Sequence, residues 1–393
     1  MAQVRVRLKK PLERVLAHGH PWVWRDALEN FDARPGTTVE LLDRQGKFLA
    51  GGWAERGPIG VRLLTRDRRP VDDALVAQRV EAAMDLRDRL AAKLGETNGV
   101  RMLHGEGDGL PGFVCDRYAD HAVLKIDGAA AAAWRKTLLA ALEPALRERG
   151  VRHLLYREGR GAEKKTTPIF GKLPSAPVEF REHGMRMLAD LVEGQKTGMF
   201  LDHRESRRVV RELAVPGRVI NLFGYTGGFS LAAGLGGARE VVTVDLAAPA
   251  LELAKAAWSL NGLEPGRHRA DAVEVEKALE AIRRRGDRFG LVVSDPPSFA
   301  PNQKSRPKAL KAYKALHRAC VDIVEEGGLW LAASCSSHVD RVAFEQTLRE
   351  AAHAAHRELS VIGRWGADVD HPIPIGFPEA DYLTVVLARV GAR

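Results

Sequence analysis

Residues 218–229 of the chain, RVINLFGYTGGF, decide the fold that we expect. The apolar run Arg218–Leu222 predicts a buried strand, and the glycines that follow it predict a tight turn leading into a helix. Glycine adopts a left-handed backbone and lets a ligand approach the chain closely. The glycine spacing differs from the G-x-G-x-x-G pattern of dinucleotide-binding turns. The stretch therefore predicts one strand–turn–helix unit of a ligand-binding α/β sheet.

Strands and helices alternate from about residue 216 onward. Strand Glu240–Asp245 precedes helix Pro249–Asn261, and strand Phe289–Ser294 precedes helix Lys308–Glu325. Repeated units of this kind predict a doubly wound, Rossmann-like α/β sheet. We interpret the C-terminal run Asp381–Val390 as an antiparallel edge strand.

Two further domains are predicted ahead of this sheet. Residues 1–70 carry short strand-like runs, beginning with Gln3–Leu8, between turn signals, which favours a small β-barrel domain. Residues 71–190 form a mixed α/β domain, whose first helix is capped by Asp72 or Asp73 and ends at Gly95. Residues 191–393 then hold the Rossmann-like domain.

The overall composition excludes several classes of protein. The 393 residues are 45% hydrophobic and 28% charged, as in ordinary globular proteins. The N-terminus lacks the apolar segment of a secretory signal, and the uncharged run Val219–Ala238 contains too many glycines for a membrane helix. Three cysteines without metal-ligand spacing argue against a disulfide framework and against a zinc site, and we expect no bound metal. We therefore expect a cytoplasmic protein.

The net charge of +9 is unevenly distributed along the chain. Residues 1–70 contain fourteen Lys and Arg against eight Asp and Glu, and so hold most of the surplus. A locally basic module favours a nucleic-acid partner. An arginine-rich solvated surface is the alternative explanation.

Two of the predicted strands end in an acidic residue. Asp245 is suited to accept hydrogen bonds from both ribose hydroxyls of a nucleoside, and Asp271 from an adenine amino group. No pyrophosphate-binding turn accompanies them, so S-adenosylmethionine fits this pattern better than NAD. The alternative is that the glycines only form a turn and the acids only cap helices.

Two later strand ends carry groups suited to chemistry on a base. Asp295 precedes two prolines that hold a rigid loop, where a carboxylate can bond the amine of an extruded base. Cys335 follows the next strand and is a candidate nucleophile, although free cysteines are often simply buried. We assign Cys115 and Cys320 to packing.

Several sequence blocks match one known family in the same order along the chain. The blocks are His20-Pro21-Trp22-Val23, Gly105–Gly112, Asp116-Arg117-Tyr118, Gly194-Gln195-Lys196-Thr197-Gly198, Phe200–Arg204, Asn221–Gly228, Asp295-Pro296-Pro297, Lys304-Ser305, Tyr313-Lys314, Ser334-Cys335-Ser336 and Asp370-His371-Pro372. With these blocks the chain resembles the class I S-adenosylmethionine-dependent rRNA methyltransferases typified by the large-subunit cytosine-C5 methyltransferase I. The resemblance covers essentially the whole chain, and Gly194–Gly198 is its most specific element.

The resemblance implies an N-terminal PUA-like RNA-binding barrel, a central α/β domain, a Rossmann-like class I methyltransferase domain and, often, a homodimer. The cofactor contacts that it implies are Lys196, Thr197, Gly198, Asn221, Phe223, Gly224, Tyr225, Asp245, Asp271 and Asp295. The chain departs from the family at Ser298, where lysine is frequent, and at Ser337, where glycine is frequent.

The resemblance also implies a mechanism that forms 5-methylcytidine. A Cys335 thiolate adds to C6 of cytosine and makes C5 nucleophilic, while Asp295 holds the amino and N3 edge of the base. Many cytosine-C5 methyltransferases that act on RNA carry a second cysteine after their two prolines, and residues 298–301 contain none. The group that removes the C5 proton is therefore not identified by the sequence.

Three other functions remain open at this point. An exocyclic amine or guanine N7 is another acceptor for the methyl group, and neither reaction needs a cysteine. A non-catalytic RNA-binding or ribosome-assembly factor is the second alternative, and an NAD oxidoreductase is the third.

A second basic stretch begins after the Asp295 loop, and we expect it to contact phosphates of the RNA. Its members are Lys304, Arg306, Lys308, Lys311 and Lys314. The alternative is a solvated helix face.

Overall fold

The computed structural model describes residues 4–159, 163–213 and 217–392, and the chain divides into two compact units. The first unit takes the described residues of Met1–Val178, Leu191–Gly198 and Val369–Ala380, and the second takes those of Glu179–Asp190, Met199–Asp368 and Asp381–Arg393. Gln3, with which the first expected strand begins, lies outside the described residues. The division into three domains at residues 70 and 190 stays a prediction.

The first unit contains two five-stranded sheets. Its strands are β1 (Val4–Arg7), β2 (Trp22–Trp24), β3 (Thr38–Leu42), β4 (Phe48–Ala54), β5 (Ile59–Thr65), β6 (Gly99–His104), β7 (Phe113–Tyr118), β8 (His121–Ile126), β9 (His153–Glu158) and β10 (Lys165–Phe170), and its helices are α1 (Glu13–Ala17), α2 (Asp73–Leu94), α3 (Ala129–Ala133) and α4 (Arg135–Glu148). The sheet orders are β1-β3-β4-β5-β2 and β10-β9-β8-β7-β6. Strand β2 was not predicted, because three residues are too few to show an alternating pattern.

Helix α2 begins and ends where the sequence predicts. The Asp72 side chain accepts a hydrogen bond from the Leu75 backbone N–H at 3.0 Å, and Gly95 ends the helix with φ = 56°. The buried face of α2 joins a core that includes Trp53 and Trp134, whose rings stack with centroids 5.0 Å apart. Residues on both sides of position 70 therefore share one hydrophobic core.

The second unit is built around a seven-stranded sheet, with a separate two-stranded sheet. Its strands are β11 (Val178–Glu182), β12 (Met185–Ala189), β13 (Arg218–Leu222), β14 (Glu240–Asp245), β15 (His268–Ala272), β16 (Phe289–Ser294), β17 (Val324–Ser334), β18 (Arg357–Trp365) and β19 (Thr384–Ala392), and its helices are α5 (Arg204–Glu212), α6 (Gly228–Leu235), α7 (Ala248–Leu260), α8 (Val275–Arg285), α9 (Arg306–Ile323) and α10 (Arg341–Ala354). None of the helices in the described residues is both long and apolar enough to cross a membrane.

The order of the large sheet, β15-β14-β13-β16-β17-β19-β18, confirms the predicted doubly wound topology. Strands β13 to β17 are mutually parallel, and the chain moves outward from β13 in one direction before it returns to add β16 on the other side. In such sheets ligands bind at the carboxyl ends of the strands beside this reversal. A ligand site is therefore expected at the ends of β13, β14 and β16.

The predicted edge strand at the C-terminus is wrong in its position. Strand β19 is antiparallel, as expected, but it pairs with β17 on one side and with β18 on the other. The edge is β18, which was not predicted, because most of its residues are exposed or only half-buried and its apolar alternation is weak. The buried side chains of β19 agree with its inner position.

Candidate active site

The turn after β13 holds an unusual backbone. Phe223 and Tyr225 have φ values of 59° and 47°, and Gly227 has 74°. Left-handed conformations of non-glycine residues are costly, and they concentrate at functional sites. The Gly224 N–H donates to the Val244 carbonyl oxygen at 3.0 Å, which ties the turn to the end of β14.

Asp245 fixes the same turn from the end of β14. Its Oδ2 accepts a hydrogen bond from the Tyr225 N–H and its Oδ1 accepts one from the Ala247 N–H, both at 2.8 Å. A carboxylate oxygen has two acceptor positions, so each oxygen keeps one for a ligand. The carboxylate is thus held rigidly while it retains two acceptor positions, as a ribose diol requires.

Asn221 lies beneath the turn and is only 1% exposed. Its Nδ2 donates to the Ser230 Oγ at 3.0 Å, and the chain of contacts continues from Ser230 to Thr243 at 2.6 Å and from Thr243 to His268 at 2.7 Å. Burial lowers the pKa of His268 to about 4, so its ring is neutral at pH 7. Among the described residues, the buried Asn221 Oδ1 has no hydrogen-bond partner.

Asp271 stands in β15, opposite Val244 in the ladder with β14. The Arg269 Nε donates to its Oδ2 at 3.0 Å, and a third of the Asp271 side chain remains exposed. The expected adenine contact would therefore share this carboxylate with Arg269.

Asp295 follows β16 and contacts a residue that the sequence reasoning missed. The His203 Nε2 lies 3.1 Å from the Asp295 Oδ2, and His203 is 3% exposed. Burial alone lowers the pKa of His203, but the facing Asp295 carboxylate outweighs it and raises that pKa above its ordinary value. The only signal in the sequence was the position of His203 within the matching block Phe200–Arg204.

Cys335 follows β17 directly and is half-buried. Its Sγ lies 3.9 Å from the carbonyl oxygen of Pro296, in the loop that carries Asp295. The two remaining cysteines, Cys115 and Cys320, are fully buried, and burial raises the pKa of both thiols, that of Cys320 to about 12. Cys335 is therefore the accessible thiol, and it stands beside the Asp295 loop.

Hydroxyl groups link the ends of β16 and β17. The Ser336 Oγ lies 3.2 Å from the Ser298 Oγ and 3.0 Å from the Tyr313 hydroxyl, which also contacts the Ser334 Oγ at 2.7 Å. Burial raises the pKa of Tyr313 to about 12, so the phenol keeps its proton at pH 7. Ser298 and Ser336 thus hold the two strand-end loops together.

The Lys196–Gly198 loop belongs to the first unit. The Thr197 hydroxyl donates to the Asp116 Oδ2 at 2.6 Å, and the Arg157 Nη1 donates to the Lys196 carbonyl oxygen at 2.7 Å. Thr197 is 2% exposed, and Lys196 adopts φ = 53°. These contacts show a firmly anchored loop, and its contact with the cofactor stays a prediction.

The basic stretch lies at and after the start of α9. Arg306 donates to the His338 carbonyl oxygen at 3.1 Å, and the Lys314 Nζ lies 2.5 Å from the Glu350 Oε2. Lys304, Lys308 and Lys311 are exposed, and within the described part of the chain none of them has an acidic partner. These three lysines are available to an anion in solution.

Two family models match the chain. Residues 129–371 match a model described as S-adenosylmethionine-dependent methyltransferase, which covers more than half of the chain. Residues 6–66 match a PUA-like domain.

Several proteins that are similar to this chain in sequence share one name. The chain is 35% identical over 98% of its length to "Ribosomal RNA large subunit methyltransferase I" of Salmonella arizonae, of which it covers 97%. The chain is also 35% identical, over 98% of its length, to the protein of the same name from Escherichia coli strain K12, of which it covers 99%.

Solved structures share the fold. The structure of SMU.776 complexed with SAH has a TM-score of 0.87 at 21% identity, with 99% of this chain and 100% of that chain covered. A second structure, from Streptococcus mutans, has a TM-score of 0.86 at 20% identity, with 98% and 100% covered.

Proposed function

Because the chain belongs to the family of ribosomal RNA large subunit methyltransferase I, within the S-adenosylmethionine-dependent methyltransferases, we propose that it forms 5-methylcytidine in large-subunit rRNA through a Cys335 thiolate. The observation that carries this proposal is the accessible Cys335, beside the loop of Asp295 at the carboxyl end of the sheet. The homodimer and the cytoplasmic location stay predictions from the sequence.

The residues at the end of β13 and β14 fit S-adenosylmethionine. A Cβ atom at position 224 would lie 2.4 Å from the Thr243 Cγ2, so only glycine leaves this backbone where it is. Asp245 offers its two remaining acceptor positions to a ribose diol, and Phe223 and Tyr225 flank Gly224 on the turn. When it is bound, S-adenosylmethionine supplies the methyl group as an electrophile.

Cys335 and Asp295 act on the base. The Cys335 thiolate forms a bond to C6 of cytosine, and the displaced electron pair makes C5 the nucleophile that takes the methyl group. The Asp295 carboxylate accepts a hydrogen bond from the amino group beside N3 and so orients the ring. Loss of the C5 proton and cleavage of the S–C6 bond then return the thiolate.

In this proposal, two basic regions of the chain bind the RNA. The PUA-like match at residues 6–66 coincides with the basic N-terminal segment, which supports an RNA-binding role for residues 1–70. Lys304, Lys308 and Lys311 are exposed at the start of α9, in the same unit as Asp295 and Cys335. Backbone phosphates are the partners that these cations fit best.

The test is the substitution Cys335→Ala, with Cys320→Ala as its matched control. We expect Cys335→Ala to abolish methyl transfer to rRNA while the affinities for cofactor and RNA stay within about threefold, because the thiol acts in the transition state. Cys320→Ala should remain active with a modest loss of stability. Melting curves accompany both assays.

An active and folded Cys335→Ala protein would contradict the cytosine-C5 mechanism. It would favour methylation of an exocyclic amine or of guanine N7, since those reactions need no thiol. Mass analysis of the modified nucleoside distinguishes these acceptors directly.

A further inference from the structure

His203 is a buried histidine whose imidazole contacts the carboxylate of Asp295. It ends the 3-10 turn Leu201–His203, just before α5, whereas Asp295 follows β16. The two side chains meet at 3.1 Å, with the His203 side chain 4% exposed and that of Asp295 23% exposed. The histidine is thus enclosed, and the carboxylate faces partly outward.

Neighbouring groups decide which ring nitrogen of His203 carries the proton. The Trp365 Nε1–H donates to the Ser206 Oγ at 2.8 Å, so the Ser206 hydroxyl proton is available to the His203 Nδ1 at 3.3 Å. Because a carboxylate oxygen can only accept, the proton of a neutral ring that bonds the Asp295 Oδ2 sits on Nε2, and Nδ1 then accepts from Ser206. A protonated ring carries a proton on Nε2 as well. His203 therefore donates to Asp295 in both charge states.

The surroundings of His203 favour a fixed ring. The Phe229 ring meets it edge to face, with centroids 5.3 Å apart. Arg207, the nearby cation, is engaged by two hydrogen bonds to the Glu182 carboxylate at 2.6 and 2.7 Å. It therefore does not compete with His203 for Asp295.

We infer that His203 is a positioning residue, which holds the Oδ2 of Asp295 by a hydrogen bond so that Oδ1 is presented to the amino and N3 edge of the cytosine. This inference rests on the proposed function, which gives Asp295 its role at the base. With one oxygen fixed from within the protein, the carboxylate plane is set before the base arrives. Such preorganisation spares the reaction the cost of orienting the group.

Replacing His203 by glutamine or by asparagine gives a matched pair of variants. The amide nitrogen of His203→Gln reaches the position of Nε2 and keeps a donor for Asp295, whereas the shorter His203→Asn places its amide near the position of Nδ1. We expect His203→Asn to lower the single-turnover rate of methyl transfer about 10- to 100-fold, as loss of an orienting partner does elsewhere. His203→Gln should stay within about threefold of the native rate, with cofactor and RNA affinities little changed in both.

A double-mutant cycle with Asp295→Asn separates positioning from a general structural role. If His203 acts through Asp295, adding His203→Asn to Asp295→Asn should lower the rate no further. Additive losses, a native rate for His203→Asn, or a His203→Gln protein as slow as His203→Asn would each overturn the inference.

Mass analysis of the methylated nucleoside distinguishes failure of the proposed function from failure of the inference about His203. A native enzyme that does not form 5-methylcytidine contradicts the proposed function. If the native enzyme forms 5-methylcytidine and His203→Asn forms it at the native rate, only the inference about His203 fails.

Discussion

At the residue scale, cofactor affinity is expected to depend on the Asp245 carboxylate. Replacing it with alanine removes the acceptors for a ribose diol and the anchors of Tyr225 and Ala247. Buried donors left unpaired cost about 1–3 kcal/mol, or roughly 5- to 150-fold in affinity. Isothermal titration of S-adenosylmethionine into Asp245→Ala measures this loss.

Asp245→Asn is the graded control for the same position. It keeps one acceptor oxygen, so its affinity should fall between those of Asp245→Ala and the native protein. A folded Asp245→Ala protein with native affinity would remove Asp245 from the cofactor site.

The sequence indicates those candidate site residues that end an apolar strand or directly follow one. Asp245, Asp295 and Cys335 are all visible in this way, since strand ends of a parallel sheet meet at one edge. The contact between His203 and Asp295 was not visible, because it joins two elements that lie far apart in the sequence. The pairing of Asp271 with Arg269, two residues apart on one strand, could have been expected from the alternation of side chains.

At the scale of elements, the turn between β13 and α6 leaves no room for a side chain at position 224. The Cβ of Gly224→Ala would lie 2.4 Å from the Thr243 Cγ2, so the turn must shift. We expect a loss of about 1–3 kcal/mol in the free energy of unfolding, together with weaker cofactor binding. Chemical denaturation and cofactor titration measure the two effects.

Gly266→Ala is the matched control in the same unit. Its added Cβ would meet only the Glu264 Oε1, at 3.8 Å, so the free energy of unfolding should change by less than about 0.5 kcal/mol. Equal effects of the two substitutions would show that the turn after β13 tolerates a side chain.

The exposed lysines of helix α9 lead to a separate prediction about RNA binding. Lys308 and Lys311 are exposed without an acidic partner among the described residues, so the double change to alanine should weaken RNA binding and flatten its salt dependence. Each lost phosphate contact lowers the slope of log affinity against log salt concentration by about 0.7–0.9. Binding titrations over a range of salt concentrations give this slope.

Lys255 and Lys277 offer a control of equal charge. Each is exposed but lies 2.8 Å from a glutamate, Glu252 and Glu274 respectively. Their double change to alanine should leave the salt slope nearly unaltered. The same slope change in both double variants would mean that net charge, and not the α9 surface, governs the affinity.

Helices and strands could be predicted from the sequence where their capping residues or apolar patterns are clear. Helix α2 has both a capping aspartate and a terminal glycine, and the structure confirms its bounds closely. The position of β19 was not predictable, because an antiparallel strand between β17 and β18 is chosen by tertiary pairing. Strand β18 has too few buried side chains to stand out.

At the scale of the whole molecule, residues 1–70 contribute to the core of the first unit, and this limits how their role in RNA binding can be tested. Trp53 stacks on Trp134, and the Trp134 Nε1 donates to the Gly36 carbonyl oxygen at 2.8 Å. Deleting residues 1–70 would expose this core. Substitution of exposed cations such as Lys9 and Lys47 is the better test of RNA binding by this segment.

Covalent trapping on RNA that contains 5-fluorocytidine tests the central claim most directly. Fluorine at C5 cannot leave as a proton does, so the bond between Cys335 and C6 should persist after methyl transfer. We predict a denaturation-resistant protein–RNA adduct that forms with the native protein and with Cys320→Ala, is absent with Cys335→Ala, and maps to Cys335 by mass spectrometry. Methylation of ordinary RNA without any adduct on the fluorinated RNA, or an adduct on another residue, would contradict the mechanism.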